Sequence, residues 1–152
     1  MKKYEFTGET KRVELWNRTA TLHRIKATVE FGFVKVGELG GWIEKEENLS
    51  HEGKAWVCGD AEVWGNAKVC GDAEVFLASH VLVMGSVGSR NDFTTFFRDK
   101  DNEITVKCGC FLGKIDKFLE KVTQTHGNNK YALVYRAAVE VAKLQIELTE
   151  RK

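Results

Sequence analysis

Between Gly85 and Arg98 the chain concentrates groups suited to an anion. Ser86, Ser89, Arg90, Asn91, Thr94, Thr95 and Arg98 lie within one short stretch, with Gly85 and Gly88 loosening the backbone between them. Hydroxyls, exposed backbone N–H groups and a guanidinium suit a phosphate, and Phe93, Phe96, Phe97 or Trp42 could stack on a base. These residues are the candidate ligand site. The alternative is a polar loop joining two modules, with Arg90 held in an ion pair.

A second constellation is Cys108-Gly109-Cys110 with His126 further on. Thiolates and imidazole are zinc ligands, but no fourth ligand accompanies them. Ile104, Val106, Cys108 and Cys110 alternate onto one strand face, where the two sulfurs stand about 6 to 7 Å apart. Buried structural thiols are the expectation, and no metal. His23, His51, His80 and His126 each have to be weighed as a general base. His80 stands out because it ends a repeat, yet no complete catalytic motif surrounds it, so neither catalytic residues nor a cofactor are expected. The run Glu44 to Glu47 reads as a solvated loop.

The elements that position these residues begin with a repeat of six. Ala55 to Asp60, Ala61 to Asn66, Ala67 to Asp72 and Ala73 to Ala78 place Val57, Val63, Val69 and Val75 in register, with an alanine two places before each valine. A fifth unit, Ser79-His80-Val81, follows. Gly-Asp or Gly-Asn closes the first three hexads and supplies the sharp corners, through positive φ and side-chain bonds to nearby backbone. Short strands with one β-branched residue inward satisfy their backbone only by stacking coil on coil, which predicts a parallel β-helix from about Gly53 to Val83. About five hexads at roughly three per coil make fewer than two coils, so other elements must cap the ends. Cys58, Trp64, Cys70, Phe76 and Leu82 then form an outward apolar column, which calls for cover by the chain or by another subunit. A homo-oligomer is expected. Glu62, Lys68 and Glu74 form a column that stays wet.

Upstream, Tyr4 to Phe6, Val13 to Trp16, Thr21 to Lys26 and Thr28 to Val36 read as short strands, and Gly37 to Gly41 as a glycine-rich turn. Downstream, Phe93 to Arg98 and Ile104 to Phe111 predict a hairpin joined by Asp99 to Glu103. Ile115, Phe118, Leu119 and Val122 trace an amphipathic helix stopped at His126-Gly127, and Asn128 or Asn129 caps a second running to about Leu148. The fold class is mainly β with an α+β C-terminal part. Residues 1–84 form the strands and β-helix, and 85–152 a module with a hairpin and two helices.

Composition narrows the partners. The chain has 152 residues, 43% of them hydrophobic, 30% charged, and a formal net charge of +1. There is no basic field to drive nucleic-acid binding, no apolar run of membrane length, and no signal region behind Lys2-Lys3. Four cysteines, with Cys58 and Cys70 on different faces of such a coil, fit free thiols in a reducing cytosol.

Taken together, Gly40-Gly41-Trp42-Ile43-Glu44, Asn48-Leu49-Ser50, the hexads, Gly88-Ser89-Arg90-Asn91-Asp92-Phe93-Thr94-Thr95-Phe96, Cys108-Gly109-Cys110-Phe111 and Thr125-His126-Gly127 resemble small phage and prophage hexapeptide-repeat proteins. The resemblance implies a left-handed coil and a phage product acting in the host bacterial cytosol. By class analogy it also implies a non-catalytic sponge that sequesters a nucleotide-derived immune signal, of cyclic oligonucleotide or cyclic ADP-ribose type. A protein inhibitor of a host factor and a hexapeptide-type acyltransferase are the alternatives.

Overall fold

The structure is a computed structural model that describes residues 2–15, 17–88, 92–146 and 148. The alanine and valine columns of the hexads point inward: Ala55, Ala61, Ala67, Ala73, Val57, Val63, Val69 and Val75 are each at most 2% exposed. They sit on a chain that stacks on itself. Strand β3 (Leu39–Ile43) pairs in parallel with β5 (Glu62–Val63), and β4 (Trp56–Val57) with β6 (Glu74–Val75). A parallel bridge from Leu49 to Val69 completes the third side. Amides of the earlier circuit donate to carbonyls of the later one, among them Trp42 N to Ala61 O at 3.0 Å, Ser50 N to Val69 O at 2.9 Å and Trp56 N to Ala73 O at 3.0 Å. Each of these backbone groups is thereby satisfied away from water.

Half of this stack lies outside the hexads. The glycine-rich stretch read as a turn over Gly37 to Gly41 instead contributes Gly40 and Gly41 to β3. A Cβ on Gly40 would lie 2.6 Å from the Trp56 ring and 2.7 Å from Val57 O, and one on Gly41 2.6 Å from Ala61 O. Their missing side chains let β3 lie directly on the next circuit. The fifth hexad departs from the pattern. Leu77-Ala78 replaces the Gly-Asp corner, the chain turns through a 3-10 segment at Ala78–His80, and Ser79 and Val81 are only half-buried.

The N-terminal segment forms one long hairpin rather than four short strands. β1 (Tyr4–Leu15) and β2 (Arg18–Ala27) pair antiparallel, and β2 pairs on with β3. Residues 28–36 are bends held by a Phe31–Val34 bridge, because Gly32 at φ 54 reverses the chain there.

At the other end, β7 (Val81–Val87), β8 (Asp92–Arg98), β9 (Ile104–Cys108) and β10 (Phe111–Lys114) form an antiparallel sheet in the order β10-β9-β8-β7. The strand expected over Ile104 to Phe111 is broken in two, since Gly109 at φ 57 makes a tight reversal with Cys110. The predicted boundary between 84 and 85 falls inside β7. Helices α1 (Ile115–His126) and α2 (Lys130–Gln145) cover one face of this sheet, and the Asn129 side chain caps α2 by accepting from Ala132 N at 3.1 Å. Alternation sorts the strands. Phe96 and Val106 enter the helical core, while Phe97 enters the core of the coil.

The outward apolar column is half-covered from within the chain. Cys58 and Cys70 pack against the coil core, Trp64 against Ala20, Leu22 and Trp42, and Leu82 against the helical core. The Arg98 guanidinium lies over Phe76 at 4.6 Å. Among the described residues no helix is long and apolar enough to cross a membrane.

Candidate functional site

Two neighbouring hollows share a pair of lysines where the coil meets the β9–β10 hairpin. The smaller, about 110 Å³, is lined by Asn66, Lys68, Asp92, Phe93, Thr95, Lys107 and Gly109. The larger, about 550 Å³, is lined by Lys68 and Lys107, by Val69, Cys70 and Leu112, and by residues between Glu46 and Gly53. The larger volume lies within the usual range for small-molecule sites, roughly 300 to 1,000 Å³.

Each wall is positioned by identifiable bonds. Lys68 sits at an outward position of the third hexad, and its backbone N–H donates to the Thr95 hydroxyl at 3.0 Å, which fixes the coil to β8. Lys107 follows Val106 on β9, so alternation turns it away from the helices. Its Nζ donates to Gly109 O at 2.7 Å. In the segment between Glu46 and Gly53, the Lys3 amide donates to His51 Nδ1 at 3.0 Å, which leaves the ring proton on Nε2 to donate to Glu46 at 3.0 Å. Tyr4 stacks on His51 with ring centroids 4.0 Å apart, and its hydroxyl donates to Leu49 O at 2.6 Å. The hydrogen bond from His51, with Lys2 adding to it, holds the Glu46 carboxyl below its ordinary value. The Lys3 ammonium is buried against Ala55 O at 2.7 Å, and burial lowers its pKa to about 8.

Of the residues expected to bind a ligand, those described do not converge. Ser89, Arg90 and Asn91 lie outside the described residues. Thr95 lines the smaller hollow, and Ser86 is exposed on β7. Thr94 turns to the helical side, where its hydroxyl donates to Cys108 Sγ at 3.4 Å, and Phe96 is buried there too. Arg98 is 6% exposed and donates to Glu74 O at 2.9 Å and Asn102 Oδ1 at 3.0 Å, which binds the sheet to the coil. Trp42 packs on Ala20 and Leu22 beneath Lys11 and Arg24. Strand alternation separates Thr94 and Phe96 from Thr95, and Trp42 belongs to the other sheet. Sequence reading passed over Lys68 and Lys107. The signal for Lys68 was its place in the wet outward column, and for Lys107 its alternation against Val106.

The remaining candidates have structural assignments. His80 is fully buried, and its Nδ1 accepts from the amides of Phe76 and Leu77 at 3.0 and 3.2 Å, so it cannot reach an outside substrate as a base. Cys108, Cys110 and His126 line one small hollow of about 130 Å³ between the hairpin and the helices. Among the described residues, the sole group of three potential metal ligands within mutual reach is Asp99, Asp101 and Glu103. Lys114 Nζ already sits there, 2.9, 2.8 and 2.8 Å from the three carboxylates. Burial opposes the Lys114 charge, and its hydrogen bonds to the three carboxylates outweigh that and raise the pKa. Glu44 is no solvated loop residue: Arg18 grips it at 2.6 and 2.9 Å and Gly65 N donates to it at 2.8 Å. All four cysteines are free thiols, and burial pushes Cys58 up to about 11.

No family model matches the chain, and no curated protein matches it either.

Proposed function

We propose that this protein is a non-catalytic binder that sequesters a phosphate-bearing small molecule, a nucleotide-derived immune signal, in the cytosol of a phage-infected bacterium. The observation that carries the reading is the Lys68–Lys107 pair shared by the two hollows. Two ammonium groups bordering one recess favour a multiply charged phosphate over a neutral ligand. Phe93, 39% exposed at the rim of the smaller hollow, offers a ring for stacking. The likeness to phage hexapeptide-repeat proteins supports the same class and a left-handed sense for the coil. The burial of His80 speaks against the acyltransferase alternative.

The reading includes a homo-oligomer. On α2, Leu133 is 60%, Val141 44% and Leu144 87% exposed, an apolar stripe that a second copy could cover. The same stripe favours, as a second reading, docking on a host protein.

Calorimetric titration with cyclic dinucleotides and with cyclic ADP-ribose tests the site. Lys68→Met and Lys107→Met should each weaken binding at least tenfold, the loss expected for one charged hydrogen bond of about 1.5 to 3 kcal/mol. Binding untouched by both changes would remove the site.

A further inference from the structure

An unbroken strand would hold Cys108 and Cys110 about 6 to 7 Å apart, too far for a bridge. The chain reverses between them instead. β9 ends at Cys108, Gly109 takes φ 57, and Phe111 at the start of β10 pairs back with Cys108, so Cys110 occupies the second corner of a two-residue turn. Two Cα steps of about 3.8 Å that meet near a right angle, as they do in such a turn, span about 5.5 Å. A disulfide accepts roughly 4.4 to 6.8 Å. The Thr94 hydroxyl donates to Cys108 Sγ at 3.4 Å on the helical side of the sheet, and Cys110 lines the same small hollow as Cys108.

The four thiols differ in access. Cys110 is exposed and Cys108 half-buried. Cys58 and Cys70 pack against the coil core, where burial raises both thiols, Cys58 to about 11. Thiols that solvent reaches react, whereas those packed in a core stay inert. Lys121 is exposed and lines the hollow with Cys108 and Cys110, so a compound bearing carboxylates meets a cation there.

We infer that Cys108 and Cys110 form a dithiol site that exchanges with the disulfide of a small acidic thiol, for which glutathione disulfide is the probe. The Cys110 sulfur attacks one sulfur of the incoming disulfide, whose S–S bond breaks. One small thiol leaves with the Cys110 proton, and a mixed disulfide remains on Cys110. The Cys108 sulfur then attacks Cys110 Sγ, the second small thiol leaves with the Cys108 proton, and the Cys108–Cys110 bridge closes. The protein is oxidised by an electron pair, which the incoming disulfide accepts.

Trypsin cuts after Lys107 and Lys114, so one peptide holds both cysteines. The intact protein is incubated with glutathione disulfide, its remaining thiols are alkylated, and its peptides are weighed by mass spectrometry. Expected is that peptide unalkylated and lighter by one hydrogen pair, with Cys58 and Cys70 alkylated. Cys108→Ser should stop at the mixed disulfide, accumulating glutathione on Cys110 at least tenfold above the unsubstituted protein. Cys110→Ser should leave Cys108 at least tenfold less modified than that. Alkylation of both Cys108 and Cys110 in the unsubstituted protein would overturn the site, as would a glutathione adduct on Cys110 that never closes to the bridge. Equal modification of Cys58 and Cys70 would overturn it too, since the turn would then confer nothing.

Discussion

Asn48 is fully buried at a corner of the coil and uses its whole amide. Its Nδ2 donates to Gly65 O at 3.1 Å and Ala67 O at 2.9 Å, and its Oδ1 accepts from Lys45 N at 3.0 Å. Replacement by alanine strands three backbone groups, each worth about 1 kcal/mol or more when left unsatisfied. Asn48→Ala should cost about 3 kcal/mol, measured as a shift of the urea midpoint at unchanged slope. Glu44 gives a second expectation. The Arg18 hydrogen bonds, helped by the Gly65 amide, lower its pKa from 4.5 to about 2. A carboxyl with a depressed folded pKa stabilises fully above 4.5, and the contribution is lost as pH falls from there to about 2. Thermal melts from pH 5 to pH 2 should show that loss, and Glu44→Gln should flatten it.

At the scale of elements, β3 and the β8–β9 hairpin are positioned by different means. β3 needs the absence of atoms. Gly40→Ala places a methyl against Trp56 and the Val57 carbonyl, so overpacking should cost about 1 to 3 kcal/mol, read by chemical denaturation. The hairpin needs one buried carboxylate: Asp99 Oδ1 accepts from the amides of Asp101 and Glu103, and Oδ2 from the Thr105 hydroxyl and Lys114. That knot holds β9 in register and so sets Lys107 at the cleft. The α1–α2 pair was legible from spacing alone, since i, i+3, i+4 periodicity and the Asn129 cap are local. The junction at Gly109-Cys110 was not legible, because alternation across Val106, Cys108 and Cys110 is the same whether the strand continues or reverses.

For the molecule as a whole, the apolar column of the hexads no longer demands a partner, since the chain half-covers it. The outer face of α2 is the stronger argument for self-association. Leu133→Glu with Leu144→Glu should leave the fold intact and lower the mass found by light scattering to that of a single chain. An unchanged mass would move the interface elsewhere or show that none exists. Charge at positions 87% and 60% exposed costs the isolated chain little.

The six-residue period determined that alanine and valine would face inward and that glycine would turn the corners, because those are short-range demands of backbone geometry. It placed Lys68 outward for the same reason. Which residues of distant segments would share a cleft was decided only by tertiary packing. Thr94 and Thr95 looked like one polar cluster in the chain, yet the sheet lies between a helical core and a coil core, and adjacent residues go to opposite sides. The earlier half of the coil was hidden because Leu39 to Gly53 carries no hexad pattern and is held there by contacts with the next circuit.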